Sequence, residues 1–190
     1  MQAAPGTSLN DVTPPPARSR RGLVAALVLL AAVVLLVDQV TKALAVARLR
    51  PDHPVPLLGD LLQLRITRNA GAAFSMATGA TWVLTLVAVV IVALVLRSVR
   101  RLGSRSWATA LGLLLGGALG NLVDRLVREP GVGRGHVVDF IAYGHLFIGN
   151  VADVAIVAAA VLMALLSIRG TGLDGGRVAP REPAGDDVHG

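Results

Sequence analysis

The sequence contains no cysteine. That excludes disulfides, thiolate zinc sites and a cysteine nucleophile, and says little about compartment, since a membrane protein can do without cysteine anywhere. Charge is scarce as well: 16% of the 190 residues are Asp, Glu, Lys or Arg. A soluble domain carries about 25%. With 54% hydrophobic residues and a mean hydropathy of +0.66, the composition points to an integral membrane protein built as one domain. Aromatic residues make up 3%, and lysine is nearly absent: the net charge of +6 rests on arginine, with Lys42 as the single lysine. The arginines flank apolar runs and form no aromatic-interleaved patch. They therefore read as determinants of membrane topology, and nucleic-acid binding is excluded.

Four apolar runs are present, at 23–37, 80–96, 107–123 and 147–168. A helical span needs about 20 apolar residues, with about 17 tolerated. The first run is too short unless its helix continues through Asp38 into the apolar "ALAVA" at 43–47, which we expect it to do. A cleaved signal peptide would also start with a basic stretch followed by an apolar one. Asp38 and Lys42 interrupt this run before any cleavage site, however, and three further spans follow. Residues 1–21 are expected to be a disordered basic cytoplasmic tail, 22–168 the four-span domain, and 169–190 a second disordered cytoplasmic tail.

Arg18, Arg20 and Arg21 precede the first span, and Arg97, Arg100, Arg101 and Arg105 crowd the link between the second and third. The positive-inside tendency makes both segments cytoplasmic, so both termini are expected inside. The connections 42–79 and 125–146 then lie outside, and nearly every unusual polar residue falls near the outer membrane boundary. In the first connection, "LLQLRIT" (61–67) alternates apolar and polar residues with a strand period. "NAGAAFS" (69–75) has the small residues of a turn packed against helices. The expected fold is an all-α membrane protein: a four-transmembrane-helix bundle with a small extracytoplasmic β-sheet resting on it.

The polar residues need explanation, because a carboxylate near an apolar span is expensive to keep charged. Asp38 and Lys42 are four apart on one helix face and read as a structural ion pair. The alternative makes Lys42 a base for Ser75, as in Ser/Lys hydrolases. Asp38 one turn away would keep Lys42 protonated, which is the wrong state for that role. Asn121 with Asp124, and Asn150 with Asp153, repeat one spacing in "GNLVD" and "GNVAD". Capping suits Asn150 at the start of the fourth span. It suits Asp124 poorly, because the C-terminal end of a helix dipole disfavours negative charge, which Arg125 beside it can offset.

Asp139 stands in "VVDFI", in what reads as a loop returning to the fourth span. Two carboxylates brought close in apolar surroundings share a proton. The ionised one can activate water, and the protonated one can polarise a carbonyl and then protonate a leaving amine. That is aspartic-protease chemistry, and it requires no metal and no cofactor. His136 and His145 flank Asp139, but no metal-binding helical His pair exists. Gly116, Gly117 and Gly120 read as close helix packing. The rival reading is a small transporter or channel component, which would spread polar residues through the bilayer depth.

In order along the chain, "DQVTK" (38–42), "RNAGAAFS" (68–75), "GGALGNLVDRL" (116–126) and "GHVVDF…GNVAD" (135–153) resemble the motif set of the lipoprotein signal peptidase (signal peptidase II) family. The resemblance covers about 22–168. It implies an aspartic endopeptidase of the bacterial plasma membrane with four spans and an outer β-cradle. Such an enzyme cleaves diacylglyceryl-modified prolipoproteins before the lipidated cysteine, works among membrane lipids, and is blocked by globomycin. The resemblance assigns Asp139 and Asp153 as the catalytic pair. Asn69, Asn121, Asp124, Arg125 and Asn150 become the shell that positions substrate and pair, and Asp38 with Lys42 a structural pair. A monomer is expected. One departure is Gly149, where the family usually has phenylalanine.

Overall fold

A computed structural model of the chain describes residues 17–71 and 81–177, with side chains from residue 20. Four helices carry the fold: α1 (Ala17–Arg48), α2 (Thr81–Ser98), α3 (Arg105–Val127) and α4 (Val151–Ile168). Each is long and apolar enough to cross a membrane. α1 runs unbroken past Asp38 and Lys42, as the 43–47 segment suggested, because these two charges neutralise each other at 2.8 Å.

α3 is the central helix and packs against the other three. Its glycines allow this. A Cβ at Gly116 would lie 2.7 Å from Val34 Cβ, and one at Gly117 would lie 2.6 Å from the Ala152 carbonyl oxygen. Larger side chains at those two positions would hold α1 and α4 apart. An apolar cluster at the arginine-rich end joins Leu27 and Ala31 of α1, Val95 of α2, Leu102, and Ala108, Leu111 and Leu115 of α3. The outer faces of α2 and α4 remain apolar and exposed, with Trp82, Leu86, Leu94, Val157 and Val161 among the residues that face lipid.

At the other end lies a four-stranded antiparallel sheet, β1 (Val55–Leu58), β2 (Leu62–Asn69), β3 (Val137–Tyr143) and β4 (Phe147–Gly149), in that spatial order. The alternation at 61–67 is β2. Two expectations change here. Asp139 is in strand β3, not in a loop, and it pairs with Thr67 of β2. Residues 137–140 are all buried, so the alternation that identifies a strand is absent from the sequence. Residues 147–149 are not helical either: they pair with β3, and α4 begins after Asn150. An apolar run alone does not separate a buried strand from the start of a helix.

Residues 17–21 and 169–177, expected in the two tails, are structured. α1 already starts at Ala17. Residues 169–177 fold back on the arginine-rich end, where the Leu173 carbonyl accepts from Gly103 N and Ser104 N at 2.9 and 3.1 Å. There the Trp107 indole donates to Thr171 O at 2.9 Å. Residues 1–16 and 178–190, and Ser75 with the rest of 72–80, lie outside the described residues.

Candidate active site

Asn150 precedes α4 and organises its start. Its side-chain oxygen accepts from Asp153 N at 3.1 Å, and its own backbone N–H donates to Asp153 Oδ2 at 3.0 Å. This reciprocal capping box fixes the Asp153 carboxylate at the helix N-terminus, where the dipole favours negative charge. The remaining Asn150 group, its amide nitrogen, donates to Asp139 Oδ1 at 2.6 Å. One residue therefore touches both carboxylates, and the strand–turn–helix sequence β4–Asn150–α4 brings them together.

Each carboxylate has a second amide donor. Asn69, at the end of β2, donates to Asp139 Oδ2 at 2.8 Å. Asn121 of α3 donates to Asp153 Oδ1 at 2.9 Å. Asp139 is 1% exposed, whereas Asp153 is half-buried. Burial raises the pKa of Asp139 from its ordinary value to about 6. The Asp153 charge adds to the rise, and the bonds from Asn69 and Asn150 and the Lys42 charge work against it.

Beneath this pair lies a fully buried ionic layer. Lys42 Nζ contacts Asp38 Oδ2 at 2.8 Å, Asp124 Oδ2 at 3.0 Å and Asn121 Oδ1 at 3.1 Å. Asp38 Oδ1 accepts from Ala152 N at 2.9 Å, which ties α1 to the first turn of α4. Asp124 Oδ2 accepts from Val138 N at 3.0 Å, so the layer also holds the backbone of β3 one residue before Asp139.

Asp124 pairs with a different arginine from the one its sequence neighbour suggests. Its arginine is Arg128, with Nε at 2.8 Å, and not Arg125. Residues four apart share a helix face, whereas neighbours in sequence point about 100° apart. Arg125 is 7% exposed and leaves one buried guanidinium nitrogen, Nη1, without a hydrogen-bond partner. It lies within electrostatic reach of Asp139, Asp124 and Asp153. Gln39 was also missed by the sequence reading: its amide nitrogen donates to Asp38 Oδ2, Gly120 O and Asp124 Oδ1 at 3.1, 3.0 and 3.3 Å. A glutamine within an apolar helix, and an arginine four residues beyond an aspartate, were the available signals.

All nine expected site residues thus meet at one end of the bundle: Asp38, Lys42, Asn69, Asn121, Asp124, Arg125, Asp139, Asn150 and Asp153. This concentration contrasts with the spread through the bilayer depth that a transport path would require. His136 and His145 precede and follow β3. A seven-residue strand spans about 20 Å, which is too far for both to ligate one ion.

Residues 30–169 match the family model of signal peptidase (SPase) II. Similar proteins include a lipoprotein signal peptidase of Rhodococcus jostii (strain RHA1), 54% identical over 164 residues, which is 86% of this chain and 82% of the relative. Another, from Mycolicibacterium smegmatis (strain ATCC 700084 / mc(2)155), is 50% identical over 183 residues, 96% of this chain and 77% of the relative. Among solved structures, a bacterial membrane enzyme determined by the in meso method at 1.9 Å resolution superposes with a TM-score of 0.68 at 26% identity, covering 77% of this chain and 95% of that one.

Proposed function

The chain belongs to the signal peptidase II family and is a multi-pass membrane peptidase, and from that premise we propose that Asp139 and Asp153 are its catalytic pair, cleaving lipoprotein precursors by aspartic-protease chemistry. The observation that carries this reading is Asn150, which donates to Asp139 from its side chain and to Asp153 from its backbone. Charge balance supports it. The buried layer and the pair together contain four carboxylates, Asp38, Asp124, Asp139 and Asp153, and three cations, Lys42, Arg125 and Arg128. One proton on the pair makes the assembly neutral, and low-dielectric surroundings favour that state.

Up to about pH 6 Asp139 holds the proton, because it is the more buried of the two and its pKa is pushed up to about 6. Asp153, with its carboxylate against two N–H donors at a helix N-terminus, is the ionised member. Water held by Asp153 loses a proton to it as its oxygen adds to the scissile carbonyl, while Asp139 donates a hydrogen bond to that carbonyl oxygen. The tetrahedral species then collapses, the C–N bond breaks, and the amine leaves with a proton from the pair. The mechanism uses no metal and does not involve Ser75.

The substrate class is a precursor carrying a diacylglyceryl cysteine, cut just before that residue. A lipid anchor holds the scissile bond at the membrane boundary, and a pair at the end of the bundle meets it there. The arginine-rich end is cytoplasmic, and the pair works at the outer face. Every residue of the pair and its shell comes from one chain, so a monomer suffices. The deciding experiment is cleavage of a synthetic diacylglyceryl prolipoprotein by purified protein, with and without globomycin. Asp139→Asn and Asp153→Asn should each lower turnover by on the order of a hundredfold or more while the protein stays folded and binds substrate. Near-normal turnover by either variant, or inactivation by a chelator reversed by zinc, would overturn the assignment.

A further inference from the structure

At the end of the bundle away from the aspartates, α1 and α3 diverge. They are in close contact from Gly112 onward, where a Cβ would meet Leu27 O at 3.0 Å. Nearer the arginine-rich end, a Cβ on Gly22 would meet nothing within 4 Å. Between the diverging helices lies a groove of about 540 Å³, lined by Leu23, Ala26 and Leu30 of α1 and by Ala108 and Thr109 of α3, with Arg105 at its mouth. The α1 wall is apolar over about two turns, from Leu23 to Leu30, and the groove ends in a cation. Among the described residues the Arg105 guanidinium makes no ion pair and no hydrogen bond.

The surroundings share this sign. Arg20, Arg21, Arg97, Arg100 and Arg101 gather at the same end, and Arg20 Nη1 bonds the Arg100 carbonyl at 3.3 Å, joining α1 to the turn after α2. One described carboxylate, Asp174, also lies at this end; its backbone carbonyl packs against Gly103 and its Oδ1 accepts from Gly176 N. We infer that this groove binds an anionic phospholipid of the bilayer, with an acyl chain lying along Leu23, Ala26 and Leu30 and the phosphate on Arg105. The occupant follows from the walls and the charge together. A site that opens from lipid-facing helices at the depth of a membrane boundary, apolar within and cationic at its rim, is complementary to one chain and one anionic headgroup. A zwitterionic lipid presents a compensating cation to the same arginine and gains less.

The site is independent of catalysis. Arg105 and Asp124 are separated by most of α3, roughly 28 Å at 1.5 Å per residue. The test is native mass spectrometry of the purified full chain titrated with phosphatidylglycerol and, separately, with phosphatidylcholine of the same chains. The parent should retain phosphatidylglycerol in preference. Arg105→Gln should weaken that retention about fivefold, as expected for one cation at a membrane surface. Ala26→Phe, which fills the groove and leaves every arginine in place, should weaken it at least as much. Arg97→Gln, exposed at the same end but outside the groove, should change it less than twofold. All three variants should cleave substrate at the parent rate, which establishes that they fold. Equal retention of the two lipids by the parent, or undiminished retention by Ala26→Phe, overturns the inference. So does an equal loss in Arg97→Gln, which would mean diffuse attraction. Lipid retention that appears only after residues 2–16 are deleted would make that segment the occupant instead.

Discussion

Lys42 Nζ lies 3.1 Å from Asn121 Oδ1, and this bond settles which way the Asn121 amide faces. An ammonium only donates, so the asparagine oxygen turns toward it and the nitrogen is left to donate to Asp153 at 2.9 Å. The other two Lys42 protons meet Asp38 and Asp124. Three acceptors arranged around one point suit a tetrahedral ammonium and do not suit a planar guanidinium fork. That accounts for the one lysine in a chain otherwise supplied with arginine. Lys42→Met is expected to destabilise the protein by about 3–5 kcal/mol, the usual cost of stranding a buried charge, and Lys42→Arg to fall well short of the parent. Thermal unfolding in detergent measures both. A parent-like melting temperature for Lys42→Met would show that the layer does not hold the fold.

Asp124 tests the proposed division between structural and catalytic roles. It is fully buried against Lys42 and Arg128 and holds Val138 N. Asp124→Asn keeps an oxygen for Val138 but leaves two cations facing a neutral amide. It should unfold at lower temperature, with any lost activity tracking lost folded protein. Should a well-folded Asp124→Asn bind substrate without cleaving it while Asp139→Asn cleaves normally, the two aspartates exchange roles.

The helices were legible because their apolar runs are long, and the clustered polar residues of the candidate site because charges in such runs are rare. The i,i+4 spacing of Asp38 and Lys42 gave their pairing directly. What the sequence hid follows from burial. Asp139 sits in a strand covered on both faces, so no alternation marks β3. The start of α4 was blurred because Phe147, Ile148 and Gly149 are as apolar as a helix, and only Asn150 marks the boundary. Adjacency points to Arg125 as the partner of Asp124, but a helix does not respect adjacency; the residue one turn on, Arg128, forms the pair.

Gly120 should tolerate no side chain. A Cβ there would lie 2.6 Å from Asp38 Oδ2 and 3.2 Å from Ala152 Cβ. Asp38 cannot move aside, since it bonds Lys42 and Ala152 N at once. Gly120→Ala is expected to cost at least about 1–3 kcal/mol, the range for overpacking, despite the better helix propensity of alanine. Gly22→Ala, in open space, should be neutral or slightly stabilising. Equal melting temperatures for the two variants would contradict the close approach of α1, α3 and α4.

Topology can be read by labelling, because the chain has no cysteine. Val55 on β1 and Arg101 after α2 are both exposed. With the sheet outside, an impermeant thiol reagent applied to intact cells should label Val55→Cys and spare Arg101→Cys until the cells are opened. The reverse pattern would invert the orientation.

The pH dependence follows from Asp139. Its folded pKa of about 6 lies above the ordinary carboxylate value of 3.8, so the folded state binds the extra proton between those two values. Stability from this group is full below about 3.8 and is lost as pH rises through about 6; the Asp139→Asn variant should lack that slope. On the proposed mechanism the same proton serves turnover, so kcat/KM should fall on its alkaline side with a midpoint near 6, a value belonging to the pair as a unit. The neighbours set the direction of further shifts. The bond from Asn69 favours the ionised form, so Asn69→Ala should move the alkaline limb to higher pH. Asn150→Ala should do the same and lose about 1 kcal/mol of capping besides. Asp153→Asn removes a charge that raises the Asp139 pKa. That variant should be inactive on the proposed mechanism, and its stability slope should move to lower pH. A purely structural role for Asn69 would lower activity at every pH and leave the limb where it was. An unmoved or acid-shifted limb in Asn69→Ala would therefore remove Asp139 as the proton that the profile reports.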